Sequence, residues 1–160
     1  MKERITQRNR EEFESTCNLF IDSVSNYFKH LTEIDSNIHV PYLKENEGLV
    51  LKDFTGMIGV SGDRSGFVYI SANREMFEDL INIFIGIEDP TDADVLDMAG
   101  EISNVVAGNV RANLGTNFMI SVPVVFQGMP DELQIKNETS LYVIPIRWNA
   151  HEAFVVIGLD

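Results

Sequence analysis

Apolar and polar positions alternate with two periods along this chain, and the changes of period mark its elements. Between about Asn9 and Leu31, Phe13, Cys17, Phe20, Val24, Tyr27 or Phe28, and Leu31 recur three or four residues apart, one face of an amphipathic helix. Such a stripe belongs to a core or to a dimer surface. Residues 32–47 are polar and irregular, with Pro41 among them, and read as a connection carrying a short edge strand around His39–Leu43. Phe54–Val60 and Gly66–Ser71 are β-rich runs, and the intervening Ser61-Gly62-Asp63-Arg64-Ser65 suits tight turning, so the two form a hairpin. From Arg74 to Ile85, Met76, Phe77, Leu80, Ile81, Ile83 and Phe84 fall mainly at helical spacing, and Gly86 stands where a cap belongs. Pro90-Thr91-Asp92-Ala93-Asp94 announces a third helix, reaching about Asn113, with Thr91 as N-cap and Asp94 in the capping-box position. Three β-branched runs close the chain: Pro123–Phe126, Leu141–Trp148 and Ala153–Leu159, separated by Gly128-Met129-Pro130-Asp131 and by Asn149-Ala150-His151-Glu152.

Helices therefore alternate with hairpins and not with single parallel strands, which predicts an α+β fold on a mainly antiparallel sheet. Each half supplies a helix-rich segment and a hairpin, a coarse internal similarity without a residue-level repeat. A length of 160 residues suits one domain over residues 1–160. With 25 Asp and Glu against 12 Lys and Arg, the formal charge of −13 opposes binding to nucleic acid and to anionic lipid. Cys17 is the only cysteine, which excludes an intramolecular disulfide and a zinc cluster of thiolates. The charged N-terminus precedes no apolar leader segment, and no run reaches the ~20 apolar residues of a membrane span, so a cytoplasmic protein is expected.

The chemistry concentrates on the third helix. Val95, Met98, Ala99, Ile102, Val105, Val106 and Val110 share one side when each position turns by about 100°. Asp97, Glu101, Asn104 and Gly108 stand at i, i+4, i+7 and i+11, within roughly 60° of one another on the opposite side. A solvated face carries polar residues at the same spacings. Yet no Lys or Arg interrupts this line, and Gly100 and Gly108 lie in the helix interior, each costing roughly 0.5–1 kcal/mol relative to Ala. Small residues there leave room for a partner's backbone.

The stretch Asp97-Met98-Ala99-Gly100-Glu101-Ile102-Ser103-Asn104, continuing to Asn109, resembles the signature helix of the CheX, CheC and FliY chemotaxis phosphatases: Asp or Ser, three residues, Glu, two residues, Asn. Pro123-Val124-Val125-Phe126-Gln127-Gly128 is similar to the family's following strand, and the Ile58–Gly62 and Gly66–Ser71 hairpin resembles its earlier one. The likeness covers about residues 55 to 130. It implies a CheC-like fold with two long exposed helices on the sheet, and a phosphorylated, CheY-like receiver domain as substrate. A second motif is missing: Glu14 and Asn18 have the wrong spacing, and Asp79-Leu80-Ile81-Asn82 has Asp for Glu. One motif resembles the single-site CheX branch, which implies a homodimer. Phe126, Tyr142, Ile144, Ile146 and Trp148 offer apolar strand surface for it.

The resemblance implies that Glu101 and Asn104 are catalytic and that Asp97 and Gly108 belong to substrate docking. A carboxamide at Asn104 can orient a water in line with the aspartyl phosphate, as Gln does in GTPases, while Glu101 pairs with the receiver's Lys. No metal site and no cofactor of its own is expected, because the receiver brings Mg²⁺. Other hydrolases fit poorly. Asp97 and Glu101 on adjacent turns cannot flank a glycosidic bond, and His30, His39 and His151 are scattered, each expected at the surface. The rival of a different class is a non-catalytic dimeric adaptor that docks on receivers or flagellar-switch components.

Overall fold

The computed structural model describes residues 2–44, 49–130 and 141–159. Helix α1 (Lys2–Thr32) leads to two short strands, β1 (Asn37–Ile38) and β2 (Tyr42–Lys44), and then to the hairpin β3 (Phe54–Gly62) and β4 (Gly66–Ala72). Helices α2 (Arg74–Ile85) and α3 (Asp92–Leu114) follow, then β5 (Phe118–Ile120), β6 (Val124–Gln127) and the hairpin β7 (Leu141–Trp148) and β8 (His151–Leu159). Among the described residues the eight strands form one sheet in the order β1-β7-β8-β4-β3-β5, with β2 also on β7 and β6 also on β3, and every pair is antiparallel.

That order is symmetric. If α1, β1, β2, β3 and β4 are exchanged for α3, β5, β6, β7 and β8, the sheet reads backwards onto itself. Each half lends its two short strands to the outer long strand of the other half, and β4 pairs with β8 across the middle. Only α2 breaks the correspondence. The coarse similarity of the two halves is thus a pseudo-two-fold of topology.

Period-two alternation decides which residues each sheet face receives. Phe54, Val68, Ile70, Ile144, Ile146, Trp148, Val155 and Ile157 point to the side covered by all three helices. From α1, Cys17, Phe20, Val24 and Phe28 are buried there, while the side chain of Phe13 lies outside the described residues. The Phe28 ring stacks on Trp148 at 5.5 Å, and the indole N–H donates to Thr32 Oγ1 at 3.2 Å. On the other face, Tyr69, Leu141, Val143 and Val156 form a second, thinner cluster under the segment Leu49–Leu51. Tyr69 fastens that segment, its hydroxyl accepting from the Val50 N–H at 3.1 Å and donating to the Val50 carbonyl at 2.9 Å.

Three expectations change. The single edge strand at His39–Leu43 is two strands on β7, parted around Pro41, which has no N–H for a ladder. Strand β5 is additional; its three residues carry too short a pattern to read. Ile144, Ile146 and Trp148, proposed as dimer surface, are 0% exposed beneath the helices, and of that set only Phe126 and Tyr142 stay partly accessible.

Candidate functional site

The line of acids and carboxamide is built on α3, and three sets of contacts fix how that helix sits. Its first turn is capped as expected: Thr91 Oγ1 accepts from the Asp94 N–H at 3.2 Å, and the Asp94 carboxylate accepts from the Thr91 N–H at 2.9 Å. Two orphan donors are thereby satisfied. Beside the cap, Arg74 of α2 pairs with Asp92 and, at 2.7 Å, with Glu78, so the starts of α2 and α3 are tied together. These carboxylates hold the Arg74 guanidinium above its usual range, the Asp92 hydrogen bond most of all.

The second set is a seat on the sheet. Val95, Met98, Ala99, Ile102, Val106 and Val110 are buried, as the helical stripe predicts, whereas Val105 is half-buried. Ser103, between Glu101 and Asn104 in sequence, is also buried, and its hydroxyl reaches the Gly56 carbonyl of β3 at 2.7 Å and the Ala99 carbonyl at 3.0 Å. A Cβ on Gly56 would lie 2.3 Å from the Ala99 oxygen and 2.6 Å from Ser103 Oγ. Only glycine lets strand and helix touch here. The third set joins α1, where Ser23 donates to the Val106 carbonyl at 3.3 Å.

With that face locked, the opposite one is determined. Asp97, Glu101 and Asn104 are all exposed along α3, and no hydrogen bond or ion pair to a described residue takes up the head group of Glu101 or Asn104. Gly108 continues the line half-buried, with nothing within 4 Å of an added Cβ. Gly100 differs: a Cβ there would meet Val125 Cγ1 at 3.0 Å and Pro123, so its smallness admits the protein's own β6 and not a partner. Tyr27 of α1 lies near the acidic line, its phenol pushed up to about 12 by burial and then by the Glu101 carboxylate.

Sequence reasoning missed Ser103 and Gly56. The available signal was a lone serine on an apolar stripe and a glycine at an inward position of β3, alternating with Phe54 and Ile58. His30 and His39 are exposed as expected, but His151 is half-buried with Nε2 2.5 Å from Asp79 Oδ2, which ties β8 to α2. Among the described residues no group of three or more His, Cys, Asp or Glu is placed to hold a metal ion, and no helix is long and apolar enough to cross a membrane.

Residues 54–147 match the family described as chemotaxis phosphatase CheX. In structure the chain is similar to chemotaxis protein CheX from Vibrio vulnificus, with a TM-score of 0.78 and 26% identity over 91% of this chain and 99% of that one. It is also similar to the Borrelia burgdorferi CheX–CheY–BeF₃–Mg²⁺ complex structure (TM-score 0.73, 19% identity, 90% and 97% covered). Thermotoga maritima FliY shares the fold at a TM-score of 0.62 and 14% identity, over 92% and 88%. No curated protein matches the sequence. The signature line on α3 lies inside the matched span, which takes in more than half of the residues, and the chain belongs to the CheX chemotaxis phosphatase family.

Proposed function

We propose that this protein hydrolyses the aspartyl phosphate of a CheY-like receiver domain, with Asn104 orienting the attacking water and Glu101 aligning the receiver. The observation that carries this reading is the free, outward presentation of Glu101 and Asn104 on a helix whose other face is locked to the sheet. A rigid element holding two uncommitted head groups one turn apart is what a positioning catalyst needs. Asn104 accepts a hydrogen bond from water and donates one to a phosphoryl oxygen without adding charge. The water oxygen attacks phosphorus in line, the bond from phosphorus to the receiver's carboxylate oxygen breaks, and the water's proton leaves to solvent. Glu101 pairs with the receiver's active-site Lys, Asp97 contributes at the rim, and Gly108 gives clearance.

Mg²⁺ belongs to the receiver in this scheme, and the phosphatase needs no metal or cofactor of its own. The Borrelia burgdorferi complex, which joins a similar protein to CheY, BeF₃ and Mg²⁺, supports a receiver as partner. The decisive experiment is phosphate release from a panel of phosphorylated receivers: accelerated release from at least one is expected. Binding without acceleration across the panel would instead make the protein an adaptor. We also infer a homodimer from the family. Light scattering should give twice the chain mass at micromolar concentration, and a monomer there would refute it.

A further inference from the structure

The last turn of α2 is unusually apolar for a surface. Ile83, Phe84 and Ile85 are consecutive and 44, 53 and 57% exposed, just before Gly86 ends the helix in a left-handed cap. Single exposed apolar residues need no explanation, whereas apolar residues gathered at one cleft, as Phe84 and Ile85 are, mark an interaction surface. Phe84 and Ile85 form one wall of a cleft of about 230 Å³ between α2 and α3, floored by Ile81 and Met98. The facing wall carries Asp97 and Glu101.

Two observations define what fits there. The first is charge: the sole basic residue of α2, Arg74, is engaged by Asp92 and Glu78, and the sole basic residue of α3, Arg111, lies near its far end. The acidic wall is therefore left uncompensated by either helix. The second is continuity, because Glu101 both lines the cleft and stands one turn from Asn104. A body seated on Asn104 lies against the cleft as well.

We propose that the α2–α3 cleft is the receiver's second foothold, taking an apolar side chain onto Phe84 and Ile85 and a neighbouring Lys or Arg onto Asp97. This rests on the receiver-phosphatase reading and names the part of that surface which selects the partner. Apolar anchors beside a charged pair carry most of the energy of many interfaces. The cleft thus sets affinity, while Asn104 sets the rate.

The test is titration with a CheY-type receiver loaded with beryllofluoride and Mg²⁺, together with turnover of the phosphorylated form. Phe84→Glu and Asp97→Lys should each weaken binding by about tenfold or more, raising the half-saturating receiver concentration more than they lower the maximal rate. Phe84→Ala should act in the same direction, which guards against a folding defect peculiar to the glutamate. Val40→Glu, an exposed apolar position at the opposite edge of the sheet, should bind like the unmodified protein. Wild-type affinity in all three cleft variants overturns the cleft while leaving the phosphatase reading intact. So does a Phe84→Glu variant that changes self-association and not receiver affinity. Failure of the unmodified protein to bind or dephosphorylate any receiver overturns the underlying reading, and the cleft falls with it.

Discussion

Asn104 and Glu101 stand one turn apart, yet the proposed mechanism asks different things of them, and kinetics should separate the two. In the proposed mechanism Asn104→Ala removes the group that orients the attacking water, so the maximal rate should collapse while receiver binding stays close to normal. On the same proposal Glu101→Ala removes a contact to the receiver's Lys made before and during the reaction, so half-saturation should rise as the rate falls. Full activity in folded Asn104→Ala protein would end the water-positioning mechanism. Gly108 offers a sharper contrast between fold and function. Its added Cβ meets nothing, so Gly108→Ala should stabilise the free protein by about 0.5–1 kcal/mol through helix propensity. If the position gives clearance to a docked receiver, the same methyl must weaken binding. A denaturation midpoint that rises with unchanged receiver affinity would remove Gly108 from the docking surface.

The rotation of helix α3 about its own axis is fixed. Ser103 and Gly56 set that rotation, since the serine hydroxyl reaches the Gly56 carbonyl at 2.7 Å and the bare α-carbon lets β3 approach the Ala99 oxygen. In Gly56→Ala the new carbon would sit 2.3 Å from that oxygen, with backbone on both sides of the collision, so the strand and helix must part. Overpacking of this kind costs about 1–3 kcal/mol. The variant should melt lower and, where folded, turn over more slowly, because Glu101 and Asn104 move with the helix. Thermal unfolding and phosphate release measured on one preparation check both halves, and an unshifted melting midpoint would show that the seat is softer than its geometry.

The burial that joins α1 to the sheet also gives the molecule an alkaline limit. Cys17 is fully buried and its thiol is pushed up from 9.0 to about 12, chiefly by desolvation. Burial and the Glu101 carboxylate push the Tyr27 phenol up from 10.0 to about 12. Both groups keep their protons in the folded chain at a pH where the unfolded chain has lost them. Stability is therefore fully present below about 9 and falls as pH climbs from there towards 12. Urea midpoints recorded between pH 8 and 10.5 should decline across the window, and Cys17→Ala should flatten part of the decline. A flat profile would mean that the unfolded chain shields these groups equally.

Much of this was legible along the chain because its causes are local. The helical period of Cys17, Phe20, Val24 and Phe28 and the Thr91–Asp94 capping box each depend on neighbours within a few residues, and each is found as read. The apolar runs of β7 and β8 are strands as read, with β8 starting two residues earlier, at His151. The exposed line of Asp97, Glu101 and Asn104 follows from the same turn of about 100° per residue. What lay beyond reach depends on pairs distant in sequence. The Ser103–Gly56 seat spans 47 residues. His151 finds Asp79 across 72 residues, which no spacing rule anticipates. Gly100 looked like space for a partner until Val125 was placed against it, and Ile144, Ile146 and Trp148 looked like a dimer surface until the helices covered them. Periodicity states that a face is apolar or small, but what covers that face is settled only when the whole chain closes on its core.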